Sequence, residues 1–202
     1  MSKLLLFMVM SVFLVSAAYA TLGGDVTDIG DVVLGVPNNG VDFEIGWPEN
    51  EAPEFAIDND AETKYLHFLG EVETTGIQIT PAIAGTTVGG LSFTTANDAI
   101  ERDPMTWELY GSNTSIDGEY TLIATGETYL PEDRFAANTS PIEFDPIGPF
   151  DHYQILFPTI RDAGAANSMQ IAEIELLRVP EPLTLCLLGL GGMTVLRRRH
   201  QH

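Results

Sequence analysis

Phe55-Ala56-Ile57-Asp58-Asn59-Asp60-Ala61-Glu62-Thr63-Lys64-Tyr65 gathers four oxygen-bearing side chains, Asp58, Asp60, Glu62 and Thr63, around the turn-forming Asn59. A hard cation such as calcium requires several oxygens on a tightly curved backbone. The run is not an EF-hand loop, because the central glycine and the closing Glu at the twelfth position are missing. Read alone, it is an exposed acidic turn first and a cation loop second, so the flanking sequence has to decide.

Downstream, β signals recur at short spacing: Gly76 to Thr80, Val88 to Thr95, Thr106 to Tyr110, Tyr120 to Thr125, Pro141 to Phe144, Tyr153 to Phe157 and Ile171 to Leu177. Trp107 and Leu109 alternate with Glu108 and Tyr110, and Ile171, Ile174 and Leu176 alternate with Glu173 and Glu175 after a one-residue slip at Ala172. Turn sequences such as Gly89-Gly90, Gly111-Ser112-Asn113 and Asp117-Gly118 separate them. Upstream, residues 21–53 form an irregular lead-in rich in Gly, Pro, Asp and Asn, with apolar patches at Val32 to Val36 and Val41 to Ile45 that predict one or two irregular strands and no helix. Many short strands without a long amphipathic helix predict an all-β sandwich or jelly roll. The body is large enough for one core, hence a single domain.

The 55–65 run resembles the A-x-D-G-[DN]-x-x-T-x-[WY] signature of discoidin-like domains, also called coagulation-factor type C or galactose-binding-like domains. Thr106-Trp107-Glu108-Leu109-Tyr110-Gly111-Ser112 resembles their central strand, and Met169-Gln170-Ile171-Ala172-Glu173-Ile174-Glu175-Leu176 resembles their last strand. The likeness covers residues 54–178 and keeps the family order. Asn59 stands where glycine is usual, a position Asn tolerates because it enters left-handed backbone readily, and Tyr65 replaces the commoner Trp. The resemblance implies a jelly-roll β-sandwich with a structural calcium held by the carbonyl of Phe55, the Asp58 carboxylate, the Asp60 carbonyl, the carbonyl and hydroxyl of Thr63, the Ala172 carbonyl and the Glu173 carboxylate. It also implies a non-catalytic module for carbohydrate or extracellular matrix, with His67 and Arg102 as candidate ligand contacts. From the residues themselves, His67 reads as a strand residue between Leu66 and Phe68, Arg102 as an ion-pair partner of Glu101 or Asp103, and Trp107 as core. The alternative function is a structural matrix protein without a specific small ligand.

Charge and composition narrow the choices further. Between Thr21 and Pro182 lie all 29 acidic residues against five basic ones, Lys64, Arg102, Arg134, Arg161 and Arg178, a net charge near −24. Nucleic acid and anionic surfaces are poor partners for such a chain. The single cysteine, Cys186, falls outside the β region, so no disulfide holds the domain. The body has two histidines, His67 and His152, no G-x-S-x-G elbow and no His-Glu-x-x-His pair, and the reading is of a non-enzyme.

Both ends carry sorting patterns. Lys3, the apolar run Leu4 to Val15 and Ala18-Tyr19-Ala20 have the order of a secretory signal peptide over residues 1–20. Residues 179–202 contain Pro180-Glu181-Pro182, a hydrophobic helix from Leu183 to Leu196, and Arg197-Arg198-Arg199. The prolines halt regular structure, the apolar segment can enter lipid, and the arginines stay cytoplasmic. At fourteen residues it is short for a permanent span. This tail resembles the PEP-CTERM sorting signal of Gram-negative bacteria. That likeness implies an exosortase-type membrane protease as partner, transient inner-membrane anchoring through the tail, and delivery to the cell surface or to an extracellular polysaccharide layer.

Overall fold

The computed structural model of the protein describes residues 22–180, so the expected signal peptide, and the expected sorting tail from Glu181 through Pro182 to Arg197, Arg198 and Arg199, lie outside the described residues. Ten strands follow in order: β1 (Val32–Val36), β2 (Tyr65–His67), β3 (Thr75–Thr80), β4 (Val88–Thr94), β5 (Pro104–Ser112), β6 (Thr121–Glu127), β7 (Ile142–Glu143), β8 (His152–Ile160), β9 (Met169–Ile171) and β10 (Glu173–Arg178). Short 3-10 turns supply the helical content. Among the described residues no helix is long and apolar enough to cross a membrane.

Five strands form one antiparallel sheet in the order β1-β3-β8-β5-β6, three form a second in the order β10-β4-β7, and β2 pairs with β9 in a small third sheet. Alternation decides which side chains meet between the sheets. Ile77 and Ile79 of β3, Trp107 and Leu109 of β5, and Tyr153, Ile155 and Phe157 of β8 turn inward, against Leu91 and Phe93 of β4 and Ile174 and Leu176 of β10, and all are essentially buried. Each such large apolar side chain contributes about 1.5–3 kcal/mol on burial, and this layer is what holds a domain without disulfides. The Phe93 and Phe157 rings meet edge-on at 6.0 Å across it.

The lead-in is part of this body. β1 zips onto the outer edge of β3, from Val32 opposite Thr80 to Val36 opposite Gly76. Residues 23–26 run beside β10, with the Gly23 and Val26 amides donating to the Arg178 and Leu176 carbonyls, which protects that sheet edge. Trp47 packs edge-on against Tyr65 at 6.1 Å and leaves room for nothing larger than Gly35, where an added Cβ would lie 2.4 Å from the indole.

Two local readings gain a physical account. Val41 to Ile45 is a turn, bridged to Trp47 at Val41, with the Asp42 amide donating to the Trp47 carbonyl at 3.1 Å. The Asp42 carboxylate accepts from the amides of Glu44 at 2.8 Å and Ile45 at 3.1 Å, and this local capping outcompetes strand pairing. The slip at Ala172 is a change of sheet: β9 pairs with β2, β10 pairs with β4, and between them the Ala172 amide donates to Thr94 at 3.0 Å.

Candidate functional site

The 55–65 run is anchored at both ends. Ala56 and Ile57 are buried after the 3-10 turn Pro53–Ala56, and Tyr65 is fully buried, its hydroxyl donating to the Gly76 carbonyl at 3.2 Å. The segment between them must therefore close a tight loop. Asn59 does so at φ 62°, the left-handed backbone that its side chain tolerates. The Asp60 amide lies 3.0 Å from Asp58 Oδ1, the Glu62 amide donates to Asp60 Oδ1 at 3.0 Å, and the Thr63 amide donates to the Asp60 carbonyl at 3.0 Å. The Asp60 carboxylate is thus spent capping the turn from outside, and its carbonyl is what faces Thr63.

Oxygen atoms converge on the Thr63 hydroxyl. Its Oγ1 lies 3.0 Å from both Asp58 carboxylate oxygens, 2.8 Å from the Asp60 carbonyl and 3.5 Å from the Phe55 carbonyl. One hydroxyl proton can serve only one of these four acceptors at a time. From 113 residues further along the chain, Glu173 Oε1 accepts from the Asp60 amide at 2.9 Å, and the Glu173 carboxyl is hydrogen-bonded to Asp58. Burial, together with the hydrogen bond and charge of Asp58, pushes Glu173 up to about 8. Ala172, buried beside it, completes the residues that the resemblance assigns to the metal.

These residues fit a divalent cation. Oxygens bound to calcium at about 2.3–2.6 Å sit about 3 Å from one another, the spacing found around Thr63. The donors are two carboxylates, a hydroxyl and main-chain carbonyls; among the described residues no group of three or more acidic, His or Cys side chains is gathered for a metal. The chain supplies no positive charge here. Among the described residues the ion pairs are those of Lys64 with Glu51 and Asp98 and of Asp103 with Arg134 and Arg161, and none reaches Asp58 or Glu173. Lys64, next to Thr63 in sequence, spends its ammonium on Asn97 and Gln170 at 2.9 Å and Asp98 at 3.1 Å.

The two candidate ligand contacts fare differently. His67 is fully buried: its Nε2 meets the Pro37 carbonyl at 3.0 Å and its Nδ1 accepts from the Leu69 amide at 3.2 Å. Burial first of all lowers its pKa, in keeping with a neutral ring. It offers no atom to a ligand from solution, so the ligand-contact expectation is corrected to a core role. Arg102 stays half-buried in the 3-10 turn Ile100–Arg102, forms no ion pair with Glu101 or Asp103 among the described residues, and has a buried Nε without a partner. Asp103, fully buried, is held by Arg134 through two bonds of 2.8 and 2.6 Å and by Arg161 at 3.5 Å. Trp107 is core, as its alternation indicates, with its indole N–H donating to the Glu127 carbonyl at 3.0 Å. A residue that the strand pattern did not single out is Tyr129, which stands 68% exposed between two buried neighbours.

No family model and no curated protein matches the sequence. Solved structures do match the fold. A family 32 CBM from Clostridium perfringens NanJ, in complex with galactose, is 15% identical with a TM-score of 0.55, covering 76% of this chain and 98% of that one. Another from the same organism, CpGH89CBM32-5 in complex with GalNAc-β-1,3-galactose, is 14% identical with a TM-score of 0.51, covering 72% and 94%. Chitosan-binding module 1 of a chitosanase/glucanase from Paenibacillus sp. IK-5 is 12% identical with a TM-score of 0.54, covering 75% and 97%. The fold is thus the discoidin-like jelly roll of these binding modules.

Proposed function

We propose that this discoidin-like jelly roll is an exported, non-catalytic glycan-binding module with a structural calcium. The observation that carries the reading is the fold, shared over nearly the whole length of modules whose structures hold galactose or GalNAc-β-1,3-galactose. The described histidines are a buried strand residue, His67, and His152, whose Nδ1 bonds the Thr80 hydroxyl at 2.7 Å. Phe55, Asp58, Asp60, Thr63, Ala172 and Glu173 would hold the calcium. Bound there, the ion supplies charge neutralisation and ties the 55–65 loop to β10.

Titration of the protein against a glycan array in calcium is expected to show saturable binding to at least one hydroxyl-rich oligosaccharide. No binding to any glycan at millimolar concentration would leave the structural matrix role in its place.

The same proposal includes the tail. Pro180-Glu181-Pro182, the apolar run and Arg197-Arg198-Arg199 address the protein to an exosortase-type protease in the inner membrane and then to the surface polysaccharide layer of a Gram-negative cell. Replacing Pro180, Glu181 and Pro182 by alanine is expected to leave the protein in the inner-membrane fraction at its full length. Unchanged release of a shortened product would remove the sorting assignment.

A further inference from the structure

We propose that Tyr129 is the stacking platform of a glycan-binding groove beside the five-stranded sheet, and that this groove takes an oligosaccharide free of acidic groups, with sugar units on both sides of the ring. The inference rests on the glycan-binding reading above and gives it a site, separate from His67 and from the oxygen-rich loop.

The backbone holds Tyr129 in place. Thr128 and Leu130 on either side are buried, the Thr128 amide and hydroxyl donate to the Met105 and Pro104 carbonyls at 3.0 and 2.6 Å, and Arg161 donates to the Leu130 carbonyl at 3.0 Å. Between these two anchors Tyr129 takes φ +52°, and its ring goes into solvent at 68% exposure. The backbone beneath the ring is therefore fixed before any ligand arrives, which lowers the ordering cost of binding.

Two hollows share this ring. One, of about 520 Å³, includes Thr106, Glu108, Glu127 and Pro158; the other, of about 300 Å³, includes Ser140 and Ile142. Both are shallow and open to solvent, the form of a groove along which an extended ligand lies rather than of a closed pocket. Register explains the first hollow. Thr106 pairs with Glu127 and Glu108 pairs with Thr125, so these side chains share the outer face of β5 and β6 while Trp107 and Leu109 turn into the core.

The lining chemistry selects the ligand. A sugar ring has an apolar face that stacks on an aromatic ring and a rim of hydroxyls that donate to carboxylates and hydroxyls. Tyr129 and Pro158 supply the apolar walls, and Glu108, Glu127 and Thr106 supply acceptors. Neither hollow contains Lys or Arg. In the first hollow, uronate, sulfate or phosphate groups would meet the Glu108 and Glu127 carboxylates without compensation, whereas neutral or ammonium-bearing sugars would not. A ridge between two hollows, rather than a single pit, calls for a chain of at least two sugar units lying across it.

Calorimetric titration of the full protein with a neutral hexose tetrasaccharide, an amino-sugar tetrasaccharide and an alternating uronate tetrasaccharide tests the site. The first or second is expected to bind and the third not. Tyr129→Ala should weaken binding about tenfold or more, the loss of one stacked aromatic contact, and Tyr129→Phe should retain it. Phe135→Ala removes another exposed aromatic ring, at 49% exposure and φ +56°, that contacts neither hollow, and should bind like the parent. Melting curves of all variants confirm folding. If the parent binds and Tyr129→Ala binds equally well, or if the uronate chain binds as tightly as the others, this site is wrong while the broader reading survives. A parent that binds no glycan at all overturns both.

Discussion

Asp103 and Glu173 are two carboxylates that the fold removes from water, the first completely and the second to 6% exposure, and their surroundings are opposite. Asp103 receives two guanidinium groups, Arg134 by a bidentate fork and Arg161 at 3.5 Å. Glu173 receives a backbone amide and a second carboxyl, Asp58. With only five basic residues between Thr21 and Pro182, the chain places two of them on one buried acid and none on the other. Burying an uncompensated charge costs several kcal/mol. The difference teaches that the Asp103 carboxylate is compensated by the chain's own cations, whereas Glu173 either keeps a proton or, under the calcium proposal, meets a positive charge from outside the chain.

The same chemical change, carboxylate to amide, should therefore have opposite outcomes at the two places. Asp103→Asn keeps the shape but turns an amide N–H toward guanidinium donors and strands their charge. Breaking a buried pair in this way costs about 3–5 kcal/mol, or roughly 10 °C in melting midpoint for a domain of this size. The loss should be equal in calcium and in chelator. A midpoint within a degree or two of the parent would show that Asp103 is not the charge centre of that end, and the contrast would dissolve.

How much of this contrast could be read beforehand differs between its halves. The Asp58–Glu173 contact was anticipated only through the resemblance of the two motifs to discoidin-like domains; the residues themselves showed no more than an acidic turn and a strand. Even the change of sheet at Ala172 showed in the sequence as a slip in alternation. The Asp103–Arg134 fork was not legible, since nothing local distinguishes Arg134 from a surface arginine and only the packing of two loops brings it to Asp103. Most strands were visible through alternation, but three-residue β2 is too short to show a period. Val41 to Ile45 misled because its apolar residues hide the Asp42 cap. Trp47, in a stretch of turn residues, gave no sign that it would roof Tyr65.

Glu173→Gln is the sharper, smaller test. The amide can still accept from the Asp60 amide and donate to Asp58, so in chelator the variant should melt at or above the parent at pH 7.5. Calcium at a hundredfold excess over its Kd should stabilise the parent by about 2.7 kcal/mol, roughly 5–10 °C, and should do far less for the variant. The pH dependence gives a second handle. With folded Glu173 pushed up to about 8 from an ordinary value near 4.5, the calcium-free folded chain holds a proton between those limits that the unfolded chain has released. Stability in chelator should accordingly fall as pH rises through that window. Calcium must displace that proton, so its stabilising effect should grow over the same range. Glu173→Gln has no proton to give up there and should lose both trends. A parent whose melting midpoint ignores calcium at every pH would mean that Asp58 and Glu173 share a proton as their resting arrangement, and that this end of the molecule, like the Asp103 end, is complete without an ion.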